Sequence, residues 1–301
     1  MRPPHLSALR RFTTSAVSHH ENPLGLPHSS SGPKFFPRAQ HAPPKPRRLP
    51  GISKIIAVSS AKGGVGKSTL AVNLSLSLAR QGRRTGLLDT DIFGPSVPRL
   101  LNLSEAGEPR LTNKGRLVPM ENYGVKSMSI GYLVGEEKAV VWRGLMVMKA
   151  LQQLLHEVEW GELDVLVLDL PPGTGDVQLS VVQQVVVDGA VIVSTPQDIA
   201  LIDAVKGVNM FKKVDVPILG MVQNMSVFTC PNCSHTTHIF GSEGVARECQ
   251  KHELELLGDI PLDASICEDA DRGKPTVVAR DGPLTDAYNS IAWKVIGKLW
   301  G

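Results

Sequence analysis

Long apolar runs are missing from this 301-residue chain. No stretch of 18 or more apolar residues occurs, so no membrane-spanning helix is expected. Cysteine is scarce, with four residues in all. That excludes a disulfide-stapled scaffold and leaves metal chemistry, redox chemistry or plain burial. Acids are absent from the first twenty positions, "MRPPHLSALRRFTTSAVSHH", and so is the apolar stretch of a secretory signal. Arg, Ser and Thr without acids are transit-peptide features. Residues 21–50 follow, dense in Pro, Ser and Gly, a composition that builds no core. Residues 1–50 are therefore expected to be a mitochondrial transit peptide and disordered linker, which places the folded remainder in the mitochondrial matrix.

The formal net charge is +3, but residues 1–50 hold eight Lys/Arg against one acid. Residues 51–301 are left with 24 basic and 28 acidic side chains, a balance of −4. The basic character belongs to the N-terminal segment, and no nucleic-acid partner is expected.

What remains is a chain with 42% apolar residues, enough for one large core over 51–301. Residues 54–60, 84–91, 164–170, 189–195 and 216–224 are short apolar runs that read as buried strands. Helical spacing is found at 67–82, 144–158, 177–187, 199–213, 242–255 and 284–299. Residues 103–135, rich in Gly and Pro, read as an insertion with a hairpin. Apolar strands alternating with helices predict an α/β fold, a mostly parallel twisted sheet with helices on both faces. No internal repeat is visible.

"SSAKGGVGKST" lies between the first strand and the first helix, the context a phosphate-binding loop requires. Gly63, Gly64 and Gly66 let the backbone curl its N–H groups toward phosphate oxygens. The N-terminus of the following helix adds partial positive charge. The candidate nucleotide residues are Gly63, Gly64, Val65, Gly66, Lys67, Ser68 and Thr69. Lys67 reaches the β and γ phosphates of ATP, and Ser68 ligates Mg²⁺. The pattern's first Gly is Ala61 here, tolerable where its φ is negative. Asp89 and Asp91 end one strand in "LLDTDIFGPS"; Asp169 ends another in "VLVLDLPPGTGD", followed by Asp176. A carboxylate beside the phosphate loop holds Mg²⁺ through water, and that role is expected of Asp169. Asn224 follows a late strand in "VQNMS".

Lys62 precedes the glycines, and K-G-G-x-G-K-[ST] resembles the deviant phosphate loop of the SIMIBI-class P-loop NTPases. "DTDIFGPSVP", "DLPPGTGD", "STPQDIALIDA", "GMVQNMSVFTCPNC" and "LGDIPLD" then follow in the order of the Mrp/ApbC family of iron–sulfur cluster carrier ATPases. The resemblance covers about residues 52–300 and, with the presequence, is to the mitochondrial branch. It implies slow ATP hydrolysis and a homodimer that bridges a [4Fe–4S] cluster. It also implies recipient apoproteins, complex I subunits among them. Within it, Lys62 crosses the dimer interface to the partner's nucleotide, Asp91 orients the attacking water, Asp176 lies in a switch turn and Asn224 meets the adenine. Cytosolic relatives with four further N-terminal cysteines are not matched, because no Cys precedes Cys230.

Cys230 and Cys233 form a single C-x-x-C, and a tetrahedral metal site or cubane cluster wants four protein ligands. Three sources of the missing pair are open. Cys249 and Cys267 belong to this chain, but one reads as buried on a helix and the other stands among acids. His235 and His238 lie too close to the cysteines to wrap a tetrahedron easily. A second copy supplies two more thiolates through a two-fold axis, and Lys62 points to such a dimer independently. A redox pair is a fourth reading, weakened because the motif opens no helix. Competing functions are a MinD/ParA-like positioning ATPase and a zinc-stabilised ATPase without a cluster. The tail with Trp293, Lys294, Lys298 and Trp300 makes membrane contact conceivable, although a core-packing helix is the favoured reading.

Overall fold

The computed structural model describes residues 46–134 and 144–301. The transit-peptide reading lies outside the described residues as far as residue 45. The elements run β1 (Ile52–Ser59), α1 (Lys67–Arg80), β2 (Thr85–Asp89), α2 (Val97–Leu100), β3 (Met120–Asn122), β4 (Val125–Ser129) and α3 (Gly131–Val134). They continue through α4 (Gly144–His156), β5 (Leu163–Asp169), α5 (Asp176–Gln184), β6 (Gly189–Ser194), α6 (Asp198–Lys213), β7 (Ile218–Thr229) and β8 (Thr236–Thr237). Last come α7 (Gly244–His252), β9 (Leu256–Leu262), α8 (Ala264–Asp271), α9 (Thr276–Ala279) and α10 (Pro283–Trp300).

Among the described residues the strands form one sheet, ordered β3-β4-β2-β5-β1-β6-β7-β8, with β9 also pairing β7. Only β3 on β4 and β8 on β7 are antiparallel. β1, β2, β5 and β6 are apolar nearly throughout because helices cover both faces of the sheet. α1 is buried almost all round. Leu74 and Leu78 are fully buried, each worth about 1.5–3 kcal/mol in removed apolar surface. The amphipathic α10 buries Tyr288, Ile291, Val295 and Leu299 and leaves Trp293 exposed. The C-terminal helix is thus a core-packing element.

The 103–135 region does contain a hairpin. Tyr123 and Gly124 both take positive φ, +52° and +77°, the backbone a tight two-residue turn needs between twisted strands. Its second strand, β4, joins β2 in parallel and so extends the main sheet. β7 is longer than the apolar pattern suggests and continues through Asn224 to Thr229. β9 escapes a pattern reading because Gly258 and Pro261 interrupt it. At Gly258 a methyl would lie 2.7 Å from Ile291 of α10, so the gap in the pattern is a close packing contact. Residues 46–50 also belong to the folded unit. Leu49 is buried, Arg47 bridges to Val185, and Arg48 pairs with Asp188 at 3.2 Å.

Candidate nucleotide and thiol sites

The parallel strands deliver their carboxyl ends to one edge of the sheet, where α/β folds bind ligands. Residues 60–66 link β1 to α1. Gly64 and Gly66 adopt φ of +80° and +84°, and the turn depends on them. A methyl on Gly66 would run into the Asn224 amide. That amide donates to the Val65 carbonyl at 2.8 Å, so β7 is fastened to the loop. Ala61 is not among the positive-φ residues; its methyl causes no strain there.

Lys67 opens α1 and is 7% exposed. Its Nζ donates to Asp169 Oδ1 and to Ser68 Oγ at 3.1 Å. Asp169 is fully buried, and its Oδ2 has no hydrogen-bond partner among the described residues. An orphaned carboxylate oxygen beside a serine hydroxyl fits Mg²⁺. Ser68 would ligate the ion and Asp169 would hold it through water, and the ion would supply the missing positive charge.

Asp89 stands opposite Asp169 in the β2–β5 register and is also fully buried. It accepts from the Asp91 N–H at 3.0 Å, the Val97 N–H at 3.3 Å and Ser129 Oγ at 3.0 Å. These bonds tie down both ends of the loop that carries Asp91. Burial, reinforced by the Asp169 charge, pushes the Asp89 carboxyl up to about 7. Burial also raises Asp169, against the pull of Lys67.

A cavity of about 540 Å³ opens over this group. Gly63, Gly64, Gly66, Lys67, Ser68, Thr69, Asp91 and Asn224 line it, while Val65 is buried beneath the loop. Lys62, just before the lining glycines in sequence, is partly exposed and has no ion-pair partner among the described residues. Asp176 opens α5; its side chain lies outside the described residues. The far wall comes from Met225, Pro261, Leu262, Ile266 and Cys267. Sequence reasoning gave none of these a place at the nucleotide, and weighed Cys267 only as a cluster ligand, although "LGDIPLD" is the run that carries Pro261 and Leu262. Asp89 was visible at a strand end, but nothing in the pattern separated it from a common cap.

Cys230 and Cys233 follow the C-terminal end of β7, in a hairpin tip closed by the two residues of β8. Cys230 N–H donates to the His235 carbonyl, and Ser234 N–H to the Cys230 carbonyl, each at 2.9 Å. The backbone N–H groups of Cys233 and Asn232, and the Cys233 thiol, pull the Cys230 thiol below its usual range. Donors aimed at sulfur are how a turn prepares a thiolate ligand. No cluster of three or more metal-ligating side chains exists among the described residues. Cys249 is buried on α7, and burial raises its thiol to about 11. Cys267 faces the nucleotide cavity instead.

A family model, ParA, described as NUBPL iron-transfer P-loop NTPase, matches residues 51–296. The chain belongs to this family. It is 54% identical over 259 residues to the mouse iron-sulfur cluster transfer protein NUBPL, covering 85% of this chain and 81% of that one. It is 51% identical to the Arabidopsis thaliana iron-sulfur protein required for NADH dehydrogenase, mitochondrial, covering 84% and 80%. Among solved structures, the nucleotide-binding protein of Archaeoglobus fulgidus in complex with ADP is 38% identical, with a TM-score of 0.69 over 79% of this chain and 93% of that one. The P-loop NTPase fold and the nucleotide-binding loop are thus family properties. The orphaned oxygen of Asp169 and the half-provided thiol site are read directly from this chain.

Proposed function

We propose that this chain is an ATP-dependent iron–sulfur cluster carrier of the mitochondrial matrix. Two copies hold one [4Fe–4S] cluster between them through Cys230 and Cys233 of each. They hand it to apoproteins, among them subunits of complex I. Residues 46–301 form the ATPase and carrier unit, and the segment before them is the transit peptide and linker. Gly63 to Thr69 bind the phosphates, Asn224 meets the adenine, and Ser68 with Asp169 holds Mg²⁺. Asp91 and Asp176 serve hydrolysis, and Lys62 reaches the partner's nucleotide. The reading is carried by one observation: a turn that presents two thiols, with Cys230 held below its usual range, and no third metal-ligating side chain beside them among the described residues. The names of the mouse and Arabidopsis relatives support the cargo and the recipient.

The test is anaerobic reconstitution followed by iron and sulfide analysis. About four of each per dimer are expected, with both lost in Cys230→Ser and Cys233→Ser. A cluster that survives those changes refutes the reading. Zinc in their place, in protein purified without oxygen, replaces it with the zinc-stabilised ATPase.

A further inference from the structure

One strand, β7, joins the nucleotide cavity to the thiol turn, and its middle is irregular. Asn224, fastened to Val65, and Met225 line the cavity. Met225 takes φ +56°, a left-handed conformation unfavourable for any residue with a Cβ. The pairing of β7 with β9 loses register between Asn224 and Phe228. Immediately after Met225, Ser226 is held on both sides: its hydroxyl donates to the Ile260 carbonyl at 3.2 Å, and its carbonyl meets His238 Nδ1 at 3.0 Å. A carbonyl only accepts, so the proton is on Nδ1 of His238. His238 directly follows β8, whose Thr236 and Thr237 pair with Thr229 and Phe228 and so close the turn. The chain of contacts runs from the phosphate loop through Asn224, Met225, Ser226 and His238 to the base of the Cys230–Cys233 turn.

We propose that His238 is a positioning residue that links the nucleotide cavity to the thiols, with the strained Met225 as the element that moves. Nucleotide entering the cavity presses on the wall that Met225 forms. A change of backbone there re-aims the Ser226 carbonyl, and the His238 bond carries the shift to the turn. Strained residues persist where surrounding contacts hold them and are suited to two-position behaviour. His238 is then not a metal ligand. This link deepens the carrier reading by giving nucleotide a route to the cargo ligands, and coupling of this kind is reciprocal.

The test uses the full chain without cluster, Mg·ADP as the probe, and brief iodoacetamide labelling resolved cysteine by cysteine by mass spectrometry. Cys267 lines the cavity, so its protection reports nucleotide occupancy in the same sample. In the unsubstituted protein Mg·ADP should change the labelling rates of Cys230 and Cys233 by about fivefold or more. His238→Gln should keep the protection of Cys267 and lose the response of the turn. His238→Asn, whose amide nitrogen stands where Nδ1 stood, should retain it. Thiols that ignore Mg·ADP in the unsubstituted protein overturn the proposal, as does a His238→Gln variant that responds normally. The readout is independent of iron. A protein that binds no cluster would refute the carrier reading and leave the link standing, and unresponsive thiols in a cluster-binding protein would do the reverse.

Discussion

The two ends of the second half of β7, residues 224–229, are built in opposite ways. At Asn224 the strand adjoins a sealed group: Lys67 is 7% exposed and both Asp89 and Asp169 are fully buried. Six residues on, Cys230 and Cys233 stand at the tip of a hairpin closed by a two-residue strand, with Cys233 exposed. The first end has its donors, carboxylates and loop in place within one chain, so phosphate is met by preorganised groups. The second end supplies two thiols and little packing. A site that must release its cargo gains from weak local structure, whereas a site that must recognise phosphate gains from rigidity. Changes at the sealed end should therefore disturb folding and binding together, and changes at the exposed end should disturb binding alone.

Lys67→Ala should produce the largest effect. It leaves Asp169 and Asp89 buried without their cation, and breaking such a pair costs about 3–5 kcal/mol. The loss of charge-assisted phosphate contacts should weaken Mg·ATP binding by about a hundredfold or more. Thermal melting and titration calorimetry measure the two. A variant that melts with the unsubstituted protein would show that the two ends do not differ as argued.

The same pair makes the empty protein pH-sensitive. Burial, reinforced by the Asp169 charge, holds the Asp89 carboxyl up at about 7 in the folded chain, against an ordinary 3.8. Between those values the folded state keeps a proton that the unfolded state has released, so stability falls as pH rises from about 4 to about 7. The slope contributed by Asp89 is at most about 1.4 kcal/mol per pH unit. Melting curves without nucleotide between pH 5 and 7 should show it, and Asp89→Asn should flatten it. Saturating Mg·ADP should flatten it too, because the ion supplies the charge that the proton supplied.

Much of the sealed end was legible from sequence. The spacing of Gly63, Gly64, Gly66, Lys67 and Ser68 between an apolar strand and a helix specifies backbone conformation, which is local information. Asp169 was legible for the same reason, standing at the end of an apolar run. Asp89 was not given its weight, because burial next to Asp169 is a property of the β2–β5 register that one strand does not reveal. The cavity's far wall was missed because α8 is short and β9 is broken by Gly258 and Pro261. At the exposed end, the cysteine spacing was plain, but the Ser226–His238 contact depends on how the hairpin folds back. His235 and His238 look alike in "SHTTH", and only the fold distinguishes them.

Two glycines in one loop refine the contrast on a smaller scale. Gly64→Ala meets no atom within 4 Å and suffers only its φ of +80°, about 1–2 kcal/mol for a left-handed residue. Gly66→Ala has the same strain and also displaces Asn224, releasing its bond to Val65, which adds about 1 kcal/mol. Gly66→Ala should therefore melt lower and bind Mg·ATP more weakly than Gly64→Ala. Equal effects would mean that Asn224 does not brace the loop.

The smallest effect on folding belongs to the residues assigned the cargo. Cys230→Ser and Cys233→Ser change one exposed or partly exposed atom at a turn whose backbone bonds, Cys230 to His235 and Ser234 to Cys230, need no thiol. Their stability should stay within about 0.5 kcal/mol of the unsubstituted protein, with iron and sulfide lost. Cys249→Ser is the matched control. It puts a hydroxyl into the site whose burial, with the nearby Asp259 and Glu248 charges, raises the Cys249 thiol, and burying a hydroxyl there costs about 1–3 kcal/mol, while iron binding should persist. Denaturant melts and metal analysis on the three variants separate the two behaviours. If Cys230→Ser destabilised the metal-free chain as much as Cys249→Ser, the thiol turn would be a structural part of the fold, and the contrast between the two ends of this half-strand would fail.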